Sequence, residues 1–173
     1  MTLHIVGQRL PIEAPSVAID GRDRAIVENP ILNDARRRAA HLHLNYAGSI
    51  APIDAWQLFS SLAAIIIDIR SAEERLFVGY VPGTLHAPWA YGVGMVPNPN
   101  FLRELEARVS KDTVVLFLCR SGKRSAAAAA QATNAGWAHA FNIAEGFEGE
   151  LDNARRRGQL GGWRHHGLPW IQQ

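Results

Sequence analysis

The chain has 173 residues, of which 47% are hydrophobic and 20% charged, with a formal charge of +2. That is material for one domain with a full core, and the balance excludes a disordered chain. The basic runs at 36–38 and 155–157 have no aromatic residues between them to stack bases, so they read as solvated faces and not as a nucleic-acid site.

No apolar run is long enough to span a bilayer, and the first residues lack a basic segment followed by a long apolar one. With one cysteine, Cys119, the chain forms no internal disulfide and has no second thiol to resolve a modified one. An exposed single thiol suits a reducing compartment, so the expected location is cytoplasmic.

Residues 1–33 mix short apolar stretches with Pro11, Pro15 and Pro30 and show no period, which predicts an irregular arm. Asp34 is expected to cap a helix over 35–43, so 1–47 reads as arm plus helix and 48–173 as the main domain. A short strand is predicted at 48–50. Pro52 then opens a helix whose Ile53, Trp56, Phe59 and Leu62 recur at three-residue steps, predicting one buried apolar face.

Residues 63–69 form a nearly continuous apolar run, the mark of a strand covered on both faces. Asp68 and Arg70 interrupt its end, where strands of an open parallel sheet border a crevice. They read either as braces for the neighbouring loop or as a plain ion pair closing the strand. A turn at 81–83 and a strand over 84–89 follow, and 90–100 is too rich in glycine and proline for regular structure. Trp89, Tyr91 and Met95 are candidates for an apolar rim. Asn98 and Pro99 then start a helix with Phe101, Leu102, Leu105 and Val109 on its inner side.

The chain is organised around 113–135, where an apolar, β-branched strand runs through one short loop into an alanine-rich helix ended by Gly136. The loop is Cys119, Arg120, Ser121, Gly122, Lys123, Arg124 and Ser125. Free N–H groups at a helix start carry the positive end of its dipole, and three cations share the loop. Both features favour a thiolate or a bound anion at Cys119. A last strand is predicted at 137–143, with Trp163 and Trp170 wrapping the core edge. Alternating strands and helices imply an α/β fold, a mostly parallel sheet with helices on both faces.

These residues resemble the rhodanese superfamily, whose active loop reads Cys-Arg-x-Gly-x-Arg-Ser, matched here by Cys119, Arg120, Gly122, Arg124 and Ser125. Asp68, Arg70, Glu73 and Glu74, then Val81, Pro82 and Gly83, resemble its upstream blocks, and Asn142 to Gly149 with Gly162, Trp163, Gly167, Leu168 and Pro169 its C-terminal end. The resemblance implies a three-layer rhodanese-like domain that moves a sulfane sulfur from a small anionic donor such as thiosulfate through a Cys119 persulfide. Arg120, Ser121, Gly122, Lys123, Arg124 and Ser125 would bind the substrate. The acceptor would be external: cyanide, a thiol, or a protein. The alternative is a non-catalytic or partner-loaded carrier module.

Four residues separate Cys119 from Arg124, and a cysteine phosphatase needs a loop one residue longer to seat a tetrahedral phosphate. His86 or His139 as a hydrolase base has no local support. His41 with His43, and His165 with His166, lack carboxylate or cysteine ligands at metal spacing, so neither a metal nor any other cofactor is expected.

Overall fold

The computed structural model describes residues 29–172. Most of the predicted N-terminal arm therefore lies outside the described residues. Five strands form one parallel sheet: β1 (Gly48–Ile50), β2 (Ile65–Asp68), β3 (Leu85–His86), β6 (Val115–Leu118) and β7 (Ala140–Ile143), in the order β1-β7-β6-β2-β3. Two more, β4 (Ala90–Tyr91) and β5 (Val96–Pro97), pair as an antiparallel hairpin. That hairpin falls where the breakers predicted no regular structure. Gly92 and Gly94 sit in its turn instead of preventing it.

Side chains alternate across a strand, so β6 feeds two cores at once. Leu116 and Leu118 join Ile66, Phe141, Ile143 and Phe147 on one face, under α1 (Pro30–His41) and α2 (Pro52–Ser60). Val115, Phe117 and Cys119 join Ile67, Phe101 and Trp137 on the other, under α4 (Phe101–Glu106) and α5 (Lys123–Asn134). This is the three-layer α/β arrangement. In α5, Ala128, Ala129 and Ala132 are fully buried, and their short side chains let the helix lie close on the sheet. Trp163 is buried over the first face and donates its ring N–H to the Pro169 carbonyl at 2.9 Å.

Several local expectations shift. The first helix begins at Pro30, capped by Asn29, whose side chain accepts the Ile31 N–H at 2.9 Å. Asp34 lies inside it and pairs with Arg37 and Arg38. Leu32 and Ala35 pack into the first core, which attaches this helix to the sheet domain. In α2 the buried residues are Pro52, Ala55 and Leu58, while Ile53 is 55% and Leu62 69% exposed. A strict three-residue step drifts around a helix of 3.6 residues per turn, and Leu62 lies past the helix end at φ 61°.

A short helix, α3 (Ala72–Val78), was not predicted. Its signal was present as Ser71-x-x-Glu74, a capping box in which Ser71 Oγ accepts the Glu74 N–H and Glu74 accepts the Ser71 N–H.

Candidate active site

The loop after β6 lies at the C-terminal edge of the sheet, beside the end of β2, with which Leu118 pairs through Asp68. Cys119 Sγ sits at the start of α5. It accepts the Gly122 N–H at 3.1 Å and lies 3.1 Å from the Ser125 hydroxyl. Gly122 caps the helix at φ 88°, a left-handed conformation that lets the loop turn inward and aim that N–H at the sulfur. The N–H groups of Lys123, Arg124 and Ser125, in the first turn, find no backbone acceptor among the described residues.

The turn after β7 closes against the loop from below. Phe147 N–H donates to the Cys119 carbonyl at 2.8 Å and Glu148 N–H to the Arg120 carbonyl at 2.9 Å. Gly146 stands so near that an added Cβ would lie 2.6 Å from Cys119 O, Arg120 C and Ser121 N.

The loop cations divide into distinct roles. Arg124 donates from Nη1 and Nη2 to the two carboxylate oxygens of Glu74, at 2.8 and 2.6 Å. Burial alone would lower the Arg124 guanidinium, but the Glu74 bonds outweigh it and raise it, with the charge of Cys119 acting the same way. Burial pushes Glu74 up, while Arg124 and the Ser71 N–H overrule it and hold the carboxyl below its ordinary value. Lys123 is exposed and pairs with Glu150 at 3.1 Å. Arg120 is exposed and has no carboxylate partner among the described residues.

Asp68 and Arg70 are both fully buried. Arg70 donates from Nε and Nη2 to Asp68 at 3.0 and 2.7 Å, and from Nη2 to the Gly79 carbonyl at 2.9 Å. The Arg70 N–H and Arg75 also donate to Asp68, each at 3.1 Å. The Arg70 guanidinium also stacks over the Phe147 ring, 4.0 Å from its centroid. The same Phe147 holds the Cys119 carbonyl, so the ion pair reaches the loop in one step.

Above the loop opens a cavity of about 720 Å³. Arg120, Ser121, Lys123 and Arg124 line it together with Trp89, Met95 and Leu151. Trp89 and Met95 thus lie on the expected rim, whereas Tyr91 is absent from the lining and donates to Glu104 at 3.0 Å. Cys119 is only 1% exposed, which corrects the expectation of an exposed thiol; Arg120 and Ser121, which follow it in the loop, line the cavity. Among the described residues no cluster of His, Cys, Asp or Glu is arranged to hold a metal ion, and no helix is long and apolar enough to cross a membrane.

The rhodanese-like domain pattern matches residues 51–151, more than half of the chain. The chain belongs to the rhodanese-like family. Among solved structures, the crystal structure of Rv0390 from M. tuberculosis superposes with a TM-score of 0.68 at 42% identity, covering 74% of this chain and 99% of that one. The Rickettsia prowazekii protein RP600 is 34% identical over 109 residues, 62% of this chain and 82% of its own length. The rhodanese-like domain of the Anabaena protein Alr3790 shares the fold at 13% identity, with a TM-score of 0.53 over 72% of this chain and 79% of that one.

Two residues of the site figure in the sequence only as parts of longer blocks, without the contacts they make. Glu74 appeared there only as part of an acidic block, and its partner Arg124 is 50 positions away. Asn142, in β7, places Oδ1 2.6 Å from the Ser125 hydroxyl. In the sequence it figures only as the first residue of the block at 142–149, with no role of its own.

Behind the site, His86 holds the Arg70 carbonyl through a ring nitrogen at 2.8 Å. Burial pushes His86 below the usual histidine value, with Arg75 and Arg70 helping and the Arg70 carbonyl and Asp68 opposing. His139 is lowered by burial and then by Arg36. On acidification the unfolded chain takes up these protons first, so their stabilisation is complete above about pH 6.5 and lost as pH falls through the lowered folded values. The thermal midpoint is expected to fall between about pH 7 and pH 5, less steeply in the double variant His86→Gln/His139→Gln. An equal slope in the two proteins would contradict this.

Proposed function

We propose that the protein is a sulfurtransferase that carries a sulfane sulfur as a persulfide on Cys119. One observation carries this reading: the Cys119 sulfur lies at the N-terminus of α5 between two donors, the Gly122 N–H and the Ser125 hydroxyl, where negative charge on sulfur is stabilised. In the first half-reaction the Cys119 thiolate attacks the outer sulfur of thiosulfate. A Cys119 S–S bond forms, the donor's S–S bond breaks, and its electron pair leaves on sulfite. In the second, cyanide or an external thiolate attacks the terminal sulfur, and the electron pair returns to Cys119 as thiolate.

Arg120, which pairs with no carboxylate among the described residues and faces the cavity, is the group that receives the donor's oxyanion. Lys123 adds exposed charge. Arg124 is committed to Glu74 and acts by fixing the loop, a different role from the substrate grip that the motif suggests. That commitment also weighs against phosphate-ester hydrolysis, which needs the arginine turned onto the phosphoryl oxygens. A purely structural module has no use for two donors on one buried sulfur. A single thiol of this kind fits a reducing, cytoplasmic setting.

Arg120→Ala is expected to slow sulfite release from thiosulfate about tenfold, the size of a lost charge-assisted contact, while leaving the cyanide half-reaction within about twofold. Equal slowing of both halves would sink the assignment of Arg120 to the donor.

A further inference from the structure

Ser125 has one hydroxyl proton, and two acceptors compete for it. Its Oγ lies 2.6 Å from Asn142 Oδ1 and 3.1 Å from Cys119 Sγ, and only one of them receives the proton at a time. Beyond Asn142 the row of polar atoms continues. Asn142 Nδ2 is 3.1 Å from Ser49 Oγ, its register partner across β1 and β7. Ser49 Oγ is 3.1 Å from the Tyr46 hydroxyl, and either of these can donate to the other. Cys119, Ser125 and Asn142 are buried, while Ser49 and Tyr46 are partly exposed.

We propose that Asn142 is a positioning residue whose side-chain amide turns over when Cys119 changes from thiol to thiolate or persulfide, so that the Ser125 proton is delivered to sulfur only in the charged states.

Counting donors supports two complete arrangements. With a thiol, S–H points to Ser125 Oγ, the Ser125 hydroxyl to Asn142 Oδ1, Asn142 Nδ2–H to Ser49, and Ser49 to Tyr46. With a thiolate the whole row reverses. Tyr46 donates to Ser49, Ser49 to Asn142 Oδ1, Asn142 Nδ2–H to Ser125 Oγ, and the Ser125 hydroxyl to Cys119 Sγ. A half-turn of a carboxamide exchanges O and N at the same two places, so both contacts at Asn142 survive it. The thiol proton is lost to solvent on ionisation; every other proton keeps its heavy atom, and only hydroxyls and one amide rotate. Neither arrangement strands a buried polar atom, which would cost about 1–3 kcal/mol. Gly122 N–H stays on sulfur throughout, so the loop keeps its shape while the second donor is switched.

The charged groups around the sulfur form a fixed background for this switch. Arg124 is paired with Glu74, Lys123 with Glu150, Arg70 and Arg75 with Asp68, and Glu145 with His166. Arg120 faces the cavity. The switch rests on the ionisable Cys119 of the proposed function and not on any particular sulfur donor, so its test uses none.

In the full-length, isotopically labelled protein, nuclear Overhauser contacts from the Asn142 amide protons are followed while Cys119, the sole thiol, is titrated. The expected result is contact to the Ser49 methylene in the thiol form, moving to the Ser125 methylene in step with thiolate formation, and no such movement in Cys119→Ala. Contacts that stay put in the parent, or move equally in Cys119→Ala, would overturn the proposal. As a chemical readout, Asn142→Asp accepts from both neighbours and donates to neither. It is expected to slow iodoacetamide alkylation at neutral pH about tenfold with Ser125 present, but less than about threefold in Ser125→Ala, where only its charge acts. Equal slowing in the two backgrounds would likewise overturn it.

Discussion

Replacing Arg70 with Met is expected to destabilise the fold by about 3–5 kcal/mol, the usual cost of stranding one member of a buried ion pair. Asp68 is fully buried and would keep only Arg75 and a backbone N–H, and the Gly79 carbonyl would lose its donor. The double variant Asp68→Asn/Arg70→Met removes the uncompensated charge and is expected to recover part of the loss. Urea denaturation of the three proteins measures both effects, and a single-variant loss below about 1 kcal/mol would show that the pair is dispensable.

The same variants separate the two readings of the pair. As a brace, Arg70 acts through Phe147, whose ring it covers and whose N–H holds the Cys119 carbonyl. Sulfur loading by folded Arg70→Met should then fall, measured well below the unfolding transition. A plain strand-closing ion pair leaves the loading rate of the folded fraction at the parent value.

Gly146→Ala is expected to be as damaging from the other side of the loop. Gly146 has φ 66°, where an alanine is strained, and its new Cβ would lie 2.6 Å from three backbone atoms of the active loop. Ordinary contact begins at 3.4 Å, so the loop or the turn must move by roughly 1 Å. Such a displacement is expected to cost about a hundredfold in the rate of sulfur loading and about 2–4 kcal/mol of stability. Loading within about threefold of the parent would mean that the loop tolerates displacement and that its amide geometry is not what activates the thiol.

Much of this site could be read from sequence because strand, loop and helix are contiguous. Continuous burial of Val115 to Leu118, the glycine at the turn and the alanines of α5 are local signals that each favour the same element. What could not be read depends on chain returning from a distance. The pairing of Arg124 with Glu74 is one such case, because α3 brings that carboxylate against it from 50 residues upstream. Asn142 looks like one polar break in an apolar strand, and only β7 lying beside β1 sets it between Ser49 and Ser125.

The thiol is buried where an exposed one is expected. Alternation along β6 continues through residue 119 and turns its side chain toward Phe117's face of the sheet. Ile53 and Leu62 failed for the opposite reason. Apolar identity was read as burial, where the helix face is decided by what lies under it. Tight packing of Ala55 and Leu58 claimed that face.

The central claim, that Cys119 takes up a sulfane sulfur, is tested most directly by intact-protein mass spectrometry after brief exposure to thiosulfate and, separately, to polysulfide. The predicted result is a gain of one sulfur in the parent, absent in Cys119→Ser and removed by cyanide. No gain from either donor, or the same gain in Cys119→Ser, would contradict it.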